Sequence, residues 1–159
     1  MIQAGIGGAF NSSLPLGETL IVSDEILGDL GAAENNLFND MFDMGLMEAS
    51  SPPFTNKHLP NPEMKRWEQF GLSSCRGITV NEITTSKDRI SLLTEKYQCD
   101  IESMEGAAFH YVCLQENTPF IQLRSISNYI GDRDKANWKL NDAIDSLNHH
   151  LIKIIRQIP

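Results

Sequence analysis

The sequence lacks the features that define several large classes of protein. Its 159 residues contain no apolar run that approaches the roughly 20 residues of a membrane-spanning helix. Only three cysteines occur, without a CxxC pair and without a histidine at metal-ligand spacing. We therefore expect no disulfide framework, no metal, no cofactor and a reducing, cytoplasmic environment. The chain has 13 basic and 21 acidic residues, and its net charge of −8 disfavours binding to nucleic acid.

The residues that are present match an ordinary globular protein. Hydrophobic residues make up 41% of the chain and charged residues 21%, and the length is sufficient to bury a core. We therefore predict a single domain over residues 1–159.

Four segments have the pattern of β-strands. Residues 19–27, TLIVSDEIL, form a short apolar run, and residues 76–85, RGITVNEITT, alternate between apolar and polar side chains. Residues 119–128, PFIQLRSISN, begin at a proline and are rich in β-branched side chains. Residues 2–10, IQAGIGGAF, are interpreted as the end of a strand that runs into a glycine turn.

Helical spacing of apolar residues alternates with these strands. Residues 33–48 are predicted to form a helix, and a short helix is expected between Pro62 and Gly71. Ser86 is the predicted N-cap of a further helix, and another helix is expected from about Met104 onward. Strands that alternate with helices predict a layered α/β fold. The last helix has the clearest apolar stripe, formed by Ile144, Leu147, Leu151, Ile154, Ile155 and Ile158.

Three segments at predicted strand-to-helix turns carry unusual residues: GIGG, ESMEG and SISNYIGDRD. Functional side chains of α/β folds gather at such turns. Each segment also has a purely structural interpretation. Glu102 and Glu105 would complement a helix dipole, worth about 0.3–1 kcal/mol, and Asn128 and Asp132 would serve as turn residues. Taken one at a time, the segments do not identify a function.

Taken together and in order, GIGGAF, ITVNEIT, ESMEGAA and RSISN resemble the nucleoside phosphorylase and nucleosidase superfamily. Within it the pattern is most similar to the futalosine hydrolases of a menaquinone pathway. The resemblance implies a three-layer αβα fold with a central, mixed and twisted sheet. It also implies hydrolysis of the bond between ribose and purine, with futalosine giving hypoxanthine and dehypoxanthine futalosine.

By this resemblance Glu105 binds the two ribose hydroxyls, and Met104 packs against the sugar. The chemistry agrees, because an ionised carboxylate only accepts hydrogen bonds and its two oxygens suit two neighbouring hydroxyl donors. Further substrate contacts are expected at Gly7, Gly8 and Ser103.

Asn128 occupies the position at which relatives acting on 6-aminopurines have an aspartate. Its amide offers two donors for the N7 and O6 acceptors of a 6-oxopurine, whereas adenine would leave one group unpaired at about 1–3 kcal/mol. The amide is therefore expected to stabilise the departing base by hydrogen bonding, without transferring a proton. The resemblance places the base-stacking wall near Val80 to Thr84, with Asn81 and Ile83 as the expected contacts. Arg124 and Ser127 are expected to hold the strand end, with Arg124 also a candidate ligand contact.

The resemblance covers about the C-terminal two-thirds of the family domain. Family hydrolases activate water with a glutamate on a strand ahead of the glycine segment, and the leading strands have no counterpart here. Glu18, Asp24 and Glu25 follow the glycine segment and are not assigned this role. The family commonly forms dimers, and residues 50–62 are predicted to be either the dimer contact or an ordinary surface loop.

Four functions follow from this pattern. The first is a 6-oxopurine nucleoside hydrolase, and the second is a methylthioadenosine or adenosylhomocysteine nucleosidase, which Asn128 disfavours. The third is a phosphorylase that uses phosphate as the nucleophile. The fourth is a fragment that binds a nucleoside without turning it over.

Overall fold

The computed structural model describes residues 1–34 and 37–157. Strands and helices alternate along most of the chain, and single turns of 3₁₀ helix occur at Glu68–Phe70 and Lys135–Asn137. In chain order the elements are β1 (Ile2–Ala9), β2 (Thr19–Leu27), β3 (Gly31–Glu34), β4 (Leu37–Asp40), β5 (Leu59–Pro60), α1 (Met64–Trp67), β6 (Ser74–Thr79), α2 (Lys87–Tyr97), β7 (Ile101–Ser103), α3 (Gly106–Gln115), β8 (Ile121–Tyr129) and α4 (Leu140–Ile155).

A mixed six-stranded sheet forms the centre of the molecule, with strand order β5-β2-β6-β7-β1-β8. Strands β1 and β8, β2 and β6, and β6 and β7 pair in parallel, whereas β1 with β7 and β2 with β5 pair antiparallel. The sheet also curls round on itself, because β2 pairs antiparallel with β8. β3 and β4 form a separate two-stranded ribbon.

Helices cover the two faces of this sheet. Alternate residues of β8 point in opposite directions: Ile121 and Leu123 pack in one cluster with Leu147 of α4. Gln122 between them points the other way, beneath the start of α3, where a β-carbon on Gly106 would lie 2.6 Å from its amide nitrogen. The helix–sheet–helix layering and the mixed central sheet predicted from the sequence are therefore confirmed.

Several predicted elements appear at or near their predicted positions. β2 spans residues 19–27 as predicted, and β8 lies within the predicted strand except for its last residue. The Ser86 hydroxyl accepts the backbone N–H of Arg89 at 3.3 Å, so Ser86 is the N-cap of α2. Gly71 ends the helical segment after α1 in the left-handed conformation.

The predicted helix over residues 33–48 is wrong. These residues form part of β3, β4 and a series of turns, while Asn35 and Asn36 lie outside the described residues. The Asp40 carboxylate accepts the backbone N–H groups of Phe42 and Asp43 and so closes a turn where the helix was expected.

Two predicted boundaries also differ. Gly5, Gly7 and Gly8 lie inside β1 and not in a turn after it. β6 ends at Thr79, because the backbone N–H groups of Asn81 and Glu82 bond to Asp29 and leave the ladder.

The stripe of α4 is only partly buried. Leu147 and Ile154 pack against the sheet, whereas Ile144 and Ile155 stay exposed, because the stripe is wider than its contact with the sheet. Ile158 lies outside the described residues. None of the described helices has both the length and the apolar character needed to cross a lipid bilayer.

Candidate active site

A cavity of about 560 Å³ opens beside β1, where β7 and β8 end. β1 forms its floor, the start of α3 and the residues after β8 form its walls, and the loop after β6 closes one side. All three segments that stood out in the sequence therefore meet at one place.

Glu105 and Arg124 form an ion pair at this cavity. The Arg124 guanidinium donates from Nη2 to Glu105 Oε2 at 3.0 Å and to Gln3 Oε1 at 3.2 Å, and from Nη1 to the Ile6 carbonyl at 3.3 Å. Arg124 is only 4% exposed, whereas the Glu105 side chain is 62% exposed. The guanidinium thus fixes one carboxylate oxygen and leaves the other open to the cavity.

Glu105 does not act as a helix cap. It stands at the N-cap position of α3, yet its side chain makes no capping hydrogen bond. Its carboxylate turns instead to Arg124, across the cavity floor. The side chain of Glu105 is therefore the partner of Arg124 and not a hydrogen-bonding cap of α3.

The glycine at position 5 is needed for the ion pair. Gly5 pairs with Arg124 in the β1–β8 register, and a β-carbon there would lie 2.4 Å from Arg124 Nη1. A side chain at this position would push the guanidinium away from Glu105. The glycines of β1 thus allow neighbouring side chains to approach the strand closely, and they do not form a turn.

Asn128 is held by its neighbour Ser127. The Ser127 hydroxyl lies 2.8 Å from Asn128 Oδ1, and Asn128 Nδ2 donates one hydrogen to the Tyr129 carbonyl at 3.1 Å. Because an amide nitrogen carries two hydrogens, one donor is left for a ligand. Nδ2 also lies 3.3 Å from the point where a β-carbon of Gly8 would stand, so the amide leans over β1.

A group of buried polar side chains lies on the opposite side of β1. Glu102 of β7 is 7% exposed, and its Oε1 accepts the backbone N–H of Thr84 at 3.1 Å. Within the described part of the chain, Glu102 Oε2, Ser103 Oγ and Thr84 Oγ1 are buried without a hydrogen-bond partner. All three residues line the cavity.

Comparison with known proteins identifies the family. The model of the phosphorylase superfamily matches residues 1–156. The chain belongs to this superfamily. It is 31% identical over 158 residues to futalosine hydrolase of Streptomyces coelicolor, covering 97% of this chain and 64% of that protein. It is 25% identical over 162 residues to the 5′-methylthioadenosine/S-adenosylhomocysteine nucleosidase of Buchnera aphidicola from Acyrthosiphon pisum, covering 99% of this chain and 67% of that protein.

The same fold occurs in a solved structure. Native futalosine hydrolase of Helicobacter pylori strain 26695 superposes with a TM-score of 0.77 at 16% identity, covering 99% of this chain and 67% of that one. At this identity the likeness establishes the fold. The chain thus spans about two-thirds of the length of these superfamily members.

Most of the residues predicted from the superfamily pattern lie together. The cavity is lined by Gly7, Gly8, Ile83, Ser103, Met104, Glu105, Arg124, Ser127 and Asn128. Asn81 is the exception, because its side chain donates to Asp29 Oδ1 at 3.0 Å and it does not line the cavity. Of the acids that follow β1, Glu25 is completely buried under α3 and does not line the cavity either.

Sequence reasoning missed several residues of the cavity wall. Glu102, Gln3 and Trp138 line the cavity but were not selected as site residues. The available signal for Glu102 was its place as the first residue of the ESMEG segment. Trp138 follows the SISNYIGDRD segment by four residues, and its Nε1 donates to the Asp132 carbonyl at 3.0 Å.

Proposed function

We propose that this chain binds a 6-oxopurine nucleoside and cleaves the bond between its ribose and its base, with futalosine as the first candidate. The observation that carries this proposal is the placement of Glu105, Arg124 and Asn128 around one cavity. A carboxylate for the sugar and an amide for the base then lie on opposite sides of the bond to be broken. The relationship to a futalosine hydrolase at 31% identity supports it.

On the sugar side, the Glu105 carboxylate accepts the hydrogens of the two ribose hydroxyls. The Arg124 guanidinium holds Oε2 at 3.0 Å, and a carboxylate only accepts hydrogen bonds. The Met104 side chain, half exposed at the cavity, packs against the sugar. Charge that develops on the ribose in an oxocarbenium-like transition state is then close to an ionised carboxylate.

On the base side, the free amide hydrogen of Asn128 meets the N7 and O6 edge as negative charge develops on the leaving purine. Ser127 holds the amide oxygen at 2.8 Å and so turns the nitrogen toward the ligand. The amide donates a hydrogen bond but no proton, so the base takes its proton from solvent.

The proposal is tested by the release of free base from futalosine and from methylthioadenosine, in parallel and without phosphate. We expect hypoxanthine from futalosine and little adenine. Preferential release of adenine would favour the nucleosidase activity of the Buchnera relative. Release that requires phosphate would favour a phosphorylase.

The same assay addresses water activation, which the resemblance assigns to a glutamate on a preceding strand. Hypoxanthine release by the 159 residues alone would place the activating group within them. Hypoxanthine binding without release would assign only the binding step to these residues.

We further propose a dimer, with residues 50–62 at the contact, and a cytoplasmic location in menaquinone biosynthesis. Phe54 and Leu59 of this segment are buried within the chain, while the preceding Met44, Leu46 and Met47 expose apolar surface that a partner would cover. Size-exclusion chromatography with light scattering tests the dimer. The three cysteines are buried and free, as a reducing compartment would keep them.

A further inference from the structure

The first turn of α3 is capped from a neighbouring strand and not by its own N-cap residue. Glu105 stands at the N-cap position, so Ala107 is the second residue of the helix. The backbone N–H of a second helical residue is one of those that an N-cap side chain normally accepts. Here the N–H of Ala107 donates instead to Thr79 Oγ1, at 2.7 Å, from the end of β6.

The Thr79 hydroxyl is oriented by Glu25. A hydroxyl carries one hydrogen, and Thr79 Oγ1 donates that hydrogen to Glu25 Oε2 at 2.8 Å. The lone pairs of the hydroxyl are then left for the N–H of Ala107. Thr79 is 8% exposed and Glu25 is completely buried, so solvent competes little for either hydrogen bond.

Gly106 allows the Glu25 carboxyl to lie directly against the start of the helix. A β-carbon at this position would lie 1.8 Å from Glu25 Oε1 and 2.4 Å from its carboxyl carbon. Gln122 Nε2 holds the same Oε1 at 2.8 Å. Glu25 and Thr79 therefore form a fixed support beneath the residues that follow Glu105 in the chain.

This support leaves the Glu105 carboxylate available for the cavity. Its Oε2 accepts from Arg124 at 3.0 Å, and its side chain is 62% exposed. Without the Thr79 hydroxyl, the N–H of Ala107 would lose its acceptor, and the Glu105 carboxylate stands at the position from which a side chain normally replaces it. The helix dipole favours a negative charge at the same place. The carboxylate would then turn from the cavity toward the helix.

We propose that Thr79, oriented by Glu25, is a positioning residue for the sugar-binding carboxylate, because it caps α3 in place of Glu105 and keeps Glu105 directed into the cavity. This inference rests on the proposed function, in which Glu105 accepts the ribose hydroxyls. Thr79 does not line the cavity, and it acts on the ligand only through Glu105.

The test is the affinity of the chain, by calorimetry, for hypoxanthine and for carbocyclic inosine. This analogue keeps both sugar hydroxyls, and a methylene replaces the ring oxygen that an oxocarbenium-like transition state needs, so the ligand stays intact. In Thr79→Val we expect the affinity for carbocyclic inosine to fall about tenfold while hypoxanthine binds as before. Hypoxanthine binding also reports that the variant is folded.

Conservative variants at the same position grade the effect. Thr79→Ser keeps the hydroxyl and should retain the wild-type ratio of the two affinities. Thr79→Cys has a weaker acceptor and should give an intermediate loss. Thr94→Val is the matched control, because it removes an exposed hydroxyl that bonds within α2, and it should change neither affinity.

A double-mutant cycle separates positioning from general damage. If Thr79 acts through Glu105, Thr79→Val should weaken the binding of carbocyclic inosine no further in a Glu105→Gln background. Unchanged affinities in Thr79→Val, equal losses for both ligands, or a loss that persists in Glu105→Gln overturns the inference and leaves the proposed function standing. A wild-type chain that binds carbocyclic inosine no more tightly than hypoxanthine overturns the sugar assignment and the inference together.

Discussion

Replacing Glu25 by glutamine is expected to stabilise the protein at neutral and alkaline pH. Glu25 is completely buried beneath the start of α3, and a β-carbon on Gly106 would lie 1.8 Å from its Oε1. It accepts hydrogen bonds from Thr79 Oγ1 and Gln122 Nε2, both at 2.8 Å. Thr79 Oγ1 in turn accepts the backbone N–H of Ala107 at 2.7 Å, which ties the carboxyl to the first turn of the helix.

Burial is the main influence on the pKa of the Glu25 carboxyl. It raises the pKa of Glu25 from the ordinary 4.5 to about 7, although the hydrogen bonds from Gln122 and Thr79 and the charge of Arg124 act in the opposite direction. Between these two pH values the folded protein holds a proton that the unfolded chain has released. The free energy of unfolding therefore decreases as pH rises through this range, and it levels off above it.

The size of the effect follows from the same two pKa values. The full cost of ionising Glu25 in the folded state is about 3 kcal/mol, and roughly 2 kcal/mol of it develops between about pH 5.5 and about pH 8. Glutamine has the same shape and no charge to bury, so the variant is free of this cost.

The surrounding polar atoms can accommodate the amide. Gln122 Oε1 and His110 Nε2 are both buried without a partner in the described structure. If the Gln122 amide turns over, its oxygen accepts from the new NH₂ group at position 25, and its own nitrogen is released to donate to His110. Glu25→Gln is therefore expected to give every polar atom of this hydrogen-bond network a partner and to break none of its bonds.

Urea unfolding of the wild type and of Glu25→Gln at about pH 5.5 and about pH 8 measures the effect. We expect the variant to gain about 2 kcal/mol over the wild type between the two pH values. Glu82→Gln, at an exposed side chain, serves as the control and should show no such gain. An equal difference between wild type and Glu25→Gln at both pH values would refute the reasoning.

Three further predictions concern the cavity and the turn at β4. Asn128→Asp should shift affinity from hypoxanthine toward adenine, because an aspartic acid can both donate and accept; an unchanged ratio of the two affinities contradicts this account of base selection. Glu105→Gln should weaken nucleoside binding about tenfold or more while free hypoxanthine binds as before, and equal losses for both ligands would remove the sugar assignment. Asp40→Asn should lower the free energy of unfolding in urea by about 2–3 kcal/mol, since Asp40 is 2% exposed and pairs with Lys57 and Lys96; a change within experimental error would show that these pairs contribute no net stability.

The local sequence pattern correctly predicted those strands and helices that are stabilised by their own residues. The apolar run of residues 19–27 is a strand because both of its faces are covered, and Ser86 caps α2 because its hydroxyl reaches an N–H three residues away. The sequence also predicted that ESMEG and RSISN lie close together, because the strand ends of such a fold meet at one edge of the sheet.

Residues 33–48 show where local reasoning failed. The spacing of their apolar residues is typical of a helix. However, Asp40 forms ion pairs with Lys57 and Lys96, which lie in other segments of the chain. Its carboxylate also accepts backbone N–H groups within its own turn. A charged pairing between residues far apart in sequence outweighed the local preference. Helical periodicity carries no information about such partners.

The sequence by itself thus determined the superfamily pattern, most of the elements and the candidate roles of Glu105 and Asn128. Only the tertiary structure decided that Gly5 makes room for Arg124, that Asn81 bonds to Asp29 away from the cavity, and that Glu102 keeps a buried oxygen without a partner. The physical reason is the same in each case. The environment of a side chain depends on the strands that pair beside it, and strand register is set by contacts between residues far apart along the chain.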